Sequence, residues 1–413
     1  MGKTLDIAVV GAGITGLASA IMLTRLGHRV VVYERFQTPR LVGSGLMLQP
    51  TGLAALDRLG LRQHVDALGH RIDRLHGVTA NGATIFDLAY GDLDRSVYAL
   101  AVHRGALQSA LWSGFERSSA RLEAGAEIAG TAANADGRAS PVGASGRILP
   151  AADLIVDASG VRSPLRSSVC ASNARPFAYG AVWATVADIG AAPNALAQRY
   201  VDARVMIGYL PLGRVAADGP PLAAFFWSLK PGDHEDWRSG FTAWRERVAA
   251  LWPALEPVLT AFAGPDDLTL ASYVQFTAKR LSQGNLVLAG DAAHSTSPQL
   301  GQGANQGLID AVVLADAIAD SPDLAVALRR YEHRRRHHVR FYQYASALMT
   351  PFFQSDSRLL ARLRDLTFHR MKIVPYLHRE MVRTLAGLKT GLFRSATSAE
   401  IVNGPAGAGR GQP

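Results

Sequence analysis

The 413-residue sequence has a single cysteine, Cys170. This excludes an internal disulfide and any cysteine-built zinc or iron–sulfur centre. Cys170 reads first as a small core residue, with a lone nucleophile as the alternative. Charge is also scarce: 19% of residues are charged against 48% hydrophobic, with mean hydropathy +0.08, which excludes general disorder. No GxxxxGK[ST], HExxH or GxSxG occurs, so phosphate-loop, zincin and serine-hydrolase chemistries lack their residues. His333, His337 and His338 stand among arginines whose charge opposes a metal ion, and no metal site is assigned. Internal repeats and long linkers are missing, and the length suggests two or three structural units.

The uncharged run Ile7 to Leu23 resembles a leader, but Asp6 and the glycines at 11, 13 and 16 spoil a secretory or spanning helix. A cytoplasmic location is expected. The net charge of +9 is concentrated: Ser321 to Arg394 holds 15 basic and 5 acidic residues, and the remainder is near neutral. A solvated face on amphipathic helices is the plain reading of that segment. Phe352, Phe353, Leu392 and Phe393, set among these charges, raise peripheral contact with a membrane surface as the alternative. No nucleic-acid partner is expected, and the oligomeric state is left open.

Short apolar runs at 7–10, 153–156 and 286–289, with RVVVY at 29–33, predict buried parallel strands. Helices are predicted at 17–26, 52–68, 103–115, 237–252, 303–318 and 324–349, and over 357–392 with a break near Pro375. Alternation and Asn81-Gly82 predict an antiparallel excursion at 70–97, and further strands at 181–187, 199–210 and 222–229.

Gly11-Ala12-Gly13-Ile14-Thr15-Gly16 lies between the first strand and a helix. There Gly11 permits a tight turn, Gly13 admits a pyrophosphate, and Gly16 lets helix and strand pack closely. The helix N-terminus offers N–H groups and a positive dipole end to phosphates. Glu34 ends the second strand, where its carboxylate accepts from a ribose and repels a 2′-phosphate. This marks a dinucleotide site for NAD or FAD. A later stretch, GDAAHSTSPQLGQGANQG, favours FAD. Asp291 at a strand end suits ribityl hydroxyls, and Gly301-Gln302-Gly303 opens a helix whose N–H groups suit the negative charge of a reduced flavin.

These residues resemble the single-component FAD-dependent aromatic monooxygenases, similar to para-hydroxybenzoate and salicylate hydroxylases. GAGITG…YER matches their first motif and GDAAH…P…GQGAN…DA their second. The resemblance implies an α/β fold: a Rossmann-like FAD-binding domain interleaved with a smaller antiparallel-sheet substrate domain, plus C-terminal helices. The expected segments are 1–69, 98–176 and 277–345 for FAD, 70–97 and 177–276 for substrate, 346–394 as a helical extension, and 395–413 as a disordered tail. It implies non-covalent FAD, reduced by NADH or NADPH. Through a flavin C4a-hydroperoxide, O2 then oxygenates an aromatic or other hydrophobic, electron-rich small molecule.

The resemblance also implies roles for particular residues. Gly11, Gly13, Ile14, Thr15, Gly16, Glu34, Arg35 and Arg40 would contact FAD. So would Arg104, Gln108, Gly160, Arg166, Asp291, Gly301, Gly303, Ala304 and Asn305. Pro298 would sit beside the flavin's reactive edge, and His294 would contact FAD or orient that loop. Tyr209, Phe225 and Trp227 are expected in the substrate-pocket wall, with core packing as the alternative. One departure is Ser159, where the family's middle motif carries Asp; this puts recognition of the nicotinamide reductant in question. The competing readings are a reductase of an isoprenoid or quinone-like substrate without oxygen transfer, and a non-enzymatic FAD-binding protein.

Overall fold

A computed structural model describes residues 3–38, 44–171 and 174–404. Its first layer is a six-stranded sheet in the order Ser282–Gln283, Leu286–Leu288, Leu154–Asp157, Asp6–Val10, Arg29–Glu34, Arg121–Ala124. All pairings are parallel except that of the edge strand Ser282–Gln283. The central strands Asp6–Val10 and Leu154–Asp157 are apolar apart from their terminal aspartates and are buried, with the helix Ile14–Arg25 packed on the first. The helix Ile14–Arg25 connects the first two strands, and Gly303–Ala319 packs on it with most of its residues buried.

The second layer is a seven-stranded sheet in the order Thr269–Ala271, Gly180–Ala187, Leu222–Leu229, Val205–Gly213, Ala195–Val201, Arg74–Thr79, Thr84–Ala89. It is antiparallel except where Arg74–Thr79 joins Ala195–Val201. The excursion at 70–97 thus supplies two of its strands, turned at Gly82 with φ +83°. The chain passes between the two sheets several times.

Five boundaries differ from the sequence expectation, one being the helix at 237–252, which is His234–Ser239 and Phe241–Leu251 with Gly240 between them. The helix at 52–68 is two, Pro50–Leu59 and Arg62–Leu68, because Gly60 takes φ +66° and ends the first. The strand at 199–210 is two, turned at Asp202 with φ 49°. The segment 357–392 breaks into Arg358–Thr367, a turn His369–Ile373 and Pro375–Leu385, followed by a strand Lys389–Gly391. The tail expected to be disordered from 395 instead forms the helix Ser398–Asn403. Thr397 and Glu400 cap each other's backbone there, and Val402 is buried. Residues 405–413 lie outside the described residues.

Candidate functional site

The three glycines of the first turn have separate steric reasons. Gly11 takes φ +99°, which favours glycine. A Cβ on Gly16 would stand 1.8 Å from the Gly11 carbonyl oxygen, so helix and strand meet only without it. A Cβ on Gly13 would meet nothing within 4 Å, so that side of the turn is open to a ligand. Gly13 also precedes the helix without any side-chain cap, leaving first-turn N–H groups for an anion. Ile14 and Thr15 are half-buried in that turn. Thr15 points sideways: a Cβ on Gly290 or Gly307 would come within 2.4 Å or 2.2 Å of its hydroxyl. It seats one helix against the other.

Glu34 accepts hydrogen bonds from the Ala12 N–H at 2.7 Å and the Phe36 N–H at 3.1 Å, binding strand end to glycine turn. The exposed Arg35 lies over the Phe36 ring at 4.6 Å. Gln108 donates to the Ala12 carbonyl at 2.7 Å. Arg104 is exposed at the start of Arg104–Glu116, near enough for its charge to act on Asp291. Arg40 lies outside the described residues.

Asp291 follows the strand Leu286–Leu288 and is solvent-exposed, although protein surrounds it closely enough that burial raises its carboxyl pKa. A group both deep and wetted faces a cleft. The Cβ position of Gly303 is 3.9 Å from Asp291 Oδ1, and the helix Gly303–Ala319 also begins without a side-chain cap, freeing the first amides of Gly303 and Ala304. Open space at Gly13, two uncapped helix starts and a deep carboxylate together fit a long cofactor with a diphosphate and a hydroxylated chain.

Several expected contacts are instead braces. The Arg166 guanidinium is buried and donates to the Ala292 carbonyl at 2.9 Å, Val161 at 2.9 Å and Asp291 at 3.1 Å. It lies 4.0 Å from the Phe276 ring centroid and is committed to loop backbone. Asn305 is fully buried; it accepts from the Gln49 N–H and donates to the Met47 and Gly301 carbonyls. His294 is 2% exposed, and its Nε2 bonds Asp310 Oδ2 at 2.6 Å, facing the core. That bond fixes the imidazole against the helix Gly303–Ala319, which carries Asp310.

The middle motif is rebuilt around Asp157. Ser159 Oγ donates to its carboxylate at 2.5 Å, and Ser163 Oγ donates as well. Burial raises the Asp157 carboxyl, and these hydrogen bonds oppose that shift. Gly160 follows with φ +88° and open space at its Cβ position.

Pro298 starts the turn Pro298–Leu300, closed by Gly301 with φ +59°. Sequence reasoning missed what holds this loop. Gln343 donates to the carbonyls of His294 and Ser295, the Ser297 hydroxyl bonds Ser346 and Thr350 at 2.7 and 2.9 Å, and Gln299 donates to Gln354 at 2.9 Å. These partners recur at helical spacing on one side of Leu324–Phe353 and its C-cap. Their spacing is visible in the sequence as a polar stripe.

The expected pocket-wall residues face the wrong way. Tyr209 is buried, with its hydroxyl donating to Asp188 Oδ1 at 2.6 Å. Phe225 packs on Trp244 and Phe262, and Trp227 packs on Trp244, beneath the helix Phe241–Leu251. The opposite sheet face carries Phe226 against the tilted ring of Trp183, centroids 4.6 Å apart, with Trp183 Nε1 donating to the Tyr273 hydroxyl. On that face lies a cavity of about 750 Å3, walled by Leu75, Phe86, Tyr200, Phe341 and Phe353, with Leu300 bringing it to the Pro298 turn.

The family described as "FAD binding domain" matches residues 4–342. The chain is 32% identical over 352 residues to a 3-amino-4-hydroxybenzoate 2-monooxygenase of Streptomyces cremeus, covering 81% of this chain and 84% of that one. It is 27% identical over 359 residues to a 6-hydroxynicotinate 3-monooxygenase of Bordetella bronchiseptica, covering 80% and 87%. Its fold is similar to the crystal structure of Klebsiella pneumoniae HpxO complexed with FAD and uric acid, with TM-score 0.80 at 22% identity over 93% of this chain and 97% of that one. The chain belongs to the FAD-dependent aromatic monooxygenase family, and FAD is its cofactor.

Proposed function

We propose that the protein hydroxylates an electron-rich aromatic molecule with a hydrophobic body, using O2 and NADH or NADPH. The observation that carries this is the apolar cavity reaching the Pro298 turn. In this reading residues 1–69, 98–176 and 277–345 hold FAD, 70–97 and 177–276 shape the substrate site, and 346–394 closes it. Bound FAD supplies the electron transfer from the nicotinamide and the activation of oxygen. The chain's part is to bind, orient and keep water out. Gly11, Gly13 and Gly16 with the helix start at Ile14 take the diphosphate. Glu34 would take the ribose beside its bonds to the glycine turn, Arg104 and Gln108 would border the cofactor, and Asp291 would accept from the ribityl chain. The uncapped N–H groups of Gly303 and Ala304 would offer hydrogen bonds to negative charge on the reduced ring. The apolar wall excludes the water that diverts oxygen to hydrogen peroxide.

Pro298 would fix the cavity wall beside the flavin. Pro298→Gly should keep FAD and NAD(P)H oxidation while yielding less oxygenated product and more peroxide. The ratio of product formed to NAD(P)H consumed measures this. An unchanged ratio would leave Pro298 with no role beyond shaping the chain.

With Ser159 tied back to Asp157, the middle motif offers the reductant no free carboxylate. Flavin reduction should therefore be slow with NAD(P)H alone and accelerate when substrate is present. Stopped-flow absorbance in the absence of oxygen tests this, and fast saturable reduction without substrate would refute it.

A further inference from the structure

The C-terminal elements show water what helices normally hide. In Arg358–Thr367 the buried residues are Ala361 and Arg364, while Leu359, Leu363 and Leu366 are 76%, 45% and 57% exposed. Their spacing places the three leucines on one helical face. Arg364 points inward, donating to the carbonyls of Phe352 and Asp202. An amphipathic helix of a water-soluble surface has the reverse arrangement. The next turn exposes Ile373 at 78%. This helix and turn pack against each other and against their neighbours in the fold.

The apolar cavity opens on the same part of the molecule. Its rim includes Tyr344, Leu348, Tyr376, Leu377, Leu392 and Phe393, every one an exposed large apolar side chain, with Phe393 80% exposed. An apolar surface of this extent marks an interaction site.

Charge selects the occupant. Arg340, Arg358, Arg362, Arg370, Arg379 and Arg394 are exposed and form no ion pair among the described residues. The acids of this stretch are already engaged: Asp356 with Lys230, Asp365 with Arg364, and Glu380 with Arg383 and Lys389. A second copy of the chain would bring two like-charged faces together. Residues 405–413 contain Arg410 and no large apolar side chain, so they complement neither feature. Leucines, tyrosines and unpaired arginines on one surface suit the boundary of an anionic bilayer, where apolar side chains enter the acyl region and arginines meet lipid phosphates. No helix among the described residues is long and apolar enough to cross a membrane.

We propose that this face docks on an anionic lipid surface and that the cavity mouth opens into the bilayer, so that the enzyme draws a lipophilic aromatic substrate from the membrane. Only the delivery step rests on the monooxygenase reading; the docking is scored without turnover.

The test is flotation of the FAD-loaded full chain with vesicles of phosphatidylcholine containing about 30% phosphatidylglycerol, beside vesicles of phosphatidylcholine alone. The protein should float with the anionic vesicles, more weakly at high salt, and little with the neutral ones. Leu359→Ser/Ile373→Ser, outside the cavity lining, should weaken binding about tenfold or more while FAD content stays unchanged. Arg370→Gln/Arg379→Gln should weaken binding to anionic vesicles about tenfold and leave the neutral control unchanged. Failure to float with anionic vesicles overturns the proposal, as does a leucine–isoleucine variant that floats like the parent. Self-association that this variant abolishes, without vesicle binding, assigns the face to a second copy and also overturns it. Delivery is read with 2-heptyl-4-hydroxyquinoline as an apolar aromatic probe carried in the vesicles. The probe should quench the flavin fluorescence of the parent, and the undocked variants should lose that quenching. Quenching equal in parent and variants overturns delivery, whatever the oxygenation assay returns.

Discussion

Asp310→Asn should destabilise the protein by about 3–5 kcal/mol, because it strips the charge partner from a buried arginine. Asp310 is fully buried and holds three partners: the Gly290 N–H at 2.7 Å, His294 Nε2 at 2.6 Å and Arg335 Nε at 2.5 Å. Arg335 is 1% exposed and also donates to His338 Nδ1, whose Nε2 bonds the Gly387 carbonyl. One carboxylate thus joins the turn before Asp291, the His294 loop, the long helix Leu324–Phe353 and the C-terminal strand region. Burial pushes the Asp310 carboxyl upward, but His294 and Arg335 outweigh it and hold the group well below the usual carboxylate range. Burial, and then Arg335, push the His338 imidazole down to about 3, so it stays neutral and accepts from the guanidinium. The depressed carboxyl gives a definite sign: its stabilisation is present above the unfolded value near 3.8 and is lost as pH falls below that. The thermal midpoint of Asp310→Asn should therefore lie well below the parent's at neutral pH, with the gap closing in acid. Asp310→Asn/Arg335→Met removes both charges and should recover part of the loss. An unchanged midpoint for the single variant would show that the network carries no stability.

Asp291→Ala should weaken FAD binding about ten- to a hundredfold, because one charge-assisted hydrogen bond is worth ~1.5–3 kcal/mol. Among the described residues the Asp291 carboxylate forms no hydrogen bond within the chain, unlike Asp157 or Asp310, and it faces the cleft. The fold should survive when FAD is in excess. Since burial raises the carboxyl pKa in the protein without ligand, FAD hydroxyls that donate to the carboxylate should lower it again. FAD binding should accordingly tighten as pH rises through that titration. Fluorescence titration of the apoprotein measures both effects. Parental affinity in the variant would remove Asp291 from the site, and failure to fold with excess FAD would make its role structural.

The cofactor cleft was legible in the sequence because its rules are local. Gly11 must adopt a positive φ, Gly16 must lack a Cβ, and both constraints lie within six residues of the first strand. The braces were not legible because they depend on partners far along the chain. Arg166 and Asn305 carry the residue types that bind cofactors, but they are tied to backbone more than a hundred residues away, Arg166 to Asp291 and Ala292, and Asn305 to Met47 and Gln49. The pocket wall failed for another reason. The strands Val205–Gly213 and Leu222–Leu229 are buried on both faces, so alternation does not say which parity meets the ligand. Tyr209, Phe225 and Trp227 share the parity that packs under the tryptophan-bearing helices, and Phe226 has the other. The C-terminal surface was half legible: the charge excess is plain in the sequence, but only the fold shows that Arg364 turns inward while Leu359, Leu363 and Leu366 turn out.

Isotope incorporation reads oxygen transfer itself. The FAD-loaded enzyme would be supplied with NADH or NADPH, heavy-isotope oxygen gas and a panel of phenolic and N-heteroaromatic compounds of graded lipophilicity. The product should be heavier than its substrate by one heavy oxygen atom and form together with substrate-stimulated NAD(P)H oxidation. A product that has gained hydrogen and no heavy oxygen would contradict it and make the protein a reductase on the same fold.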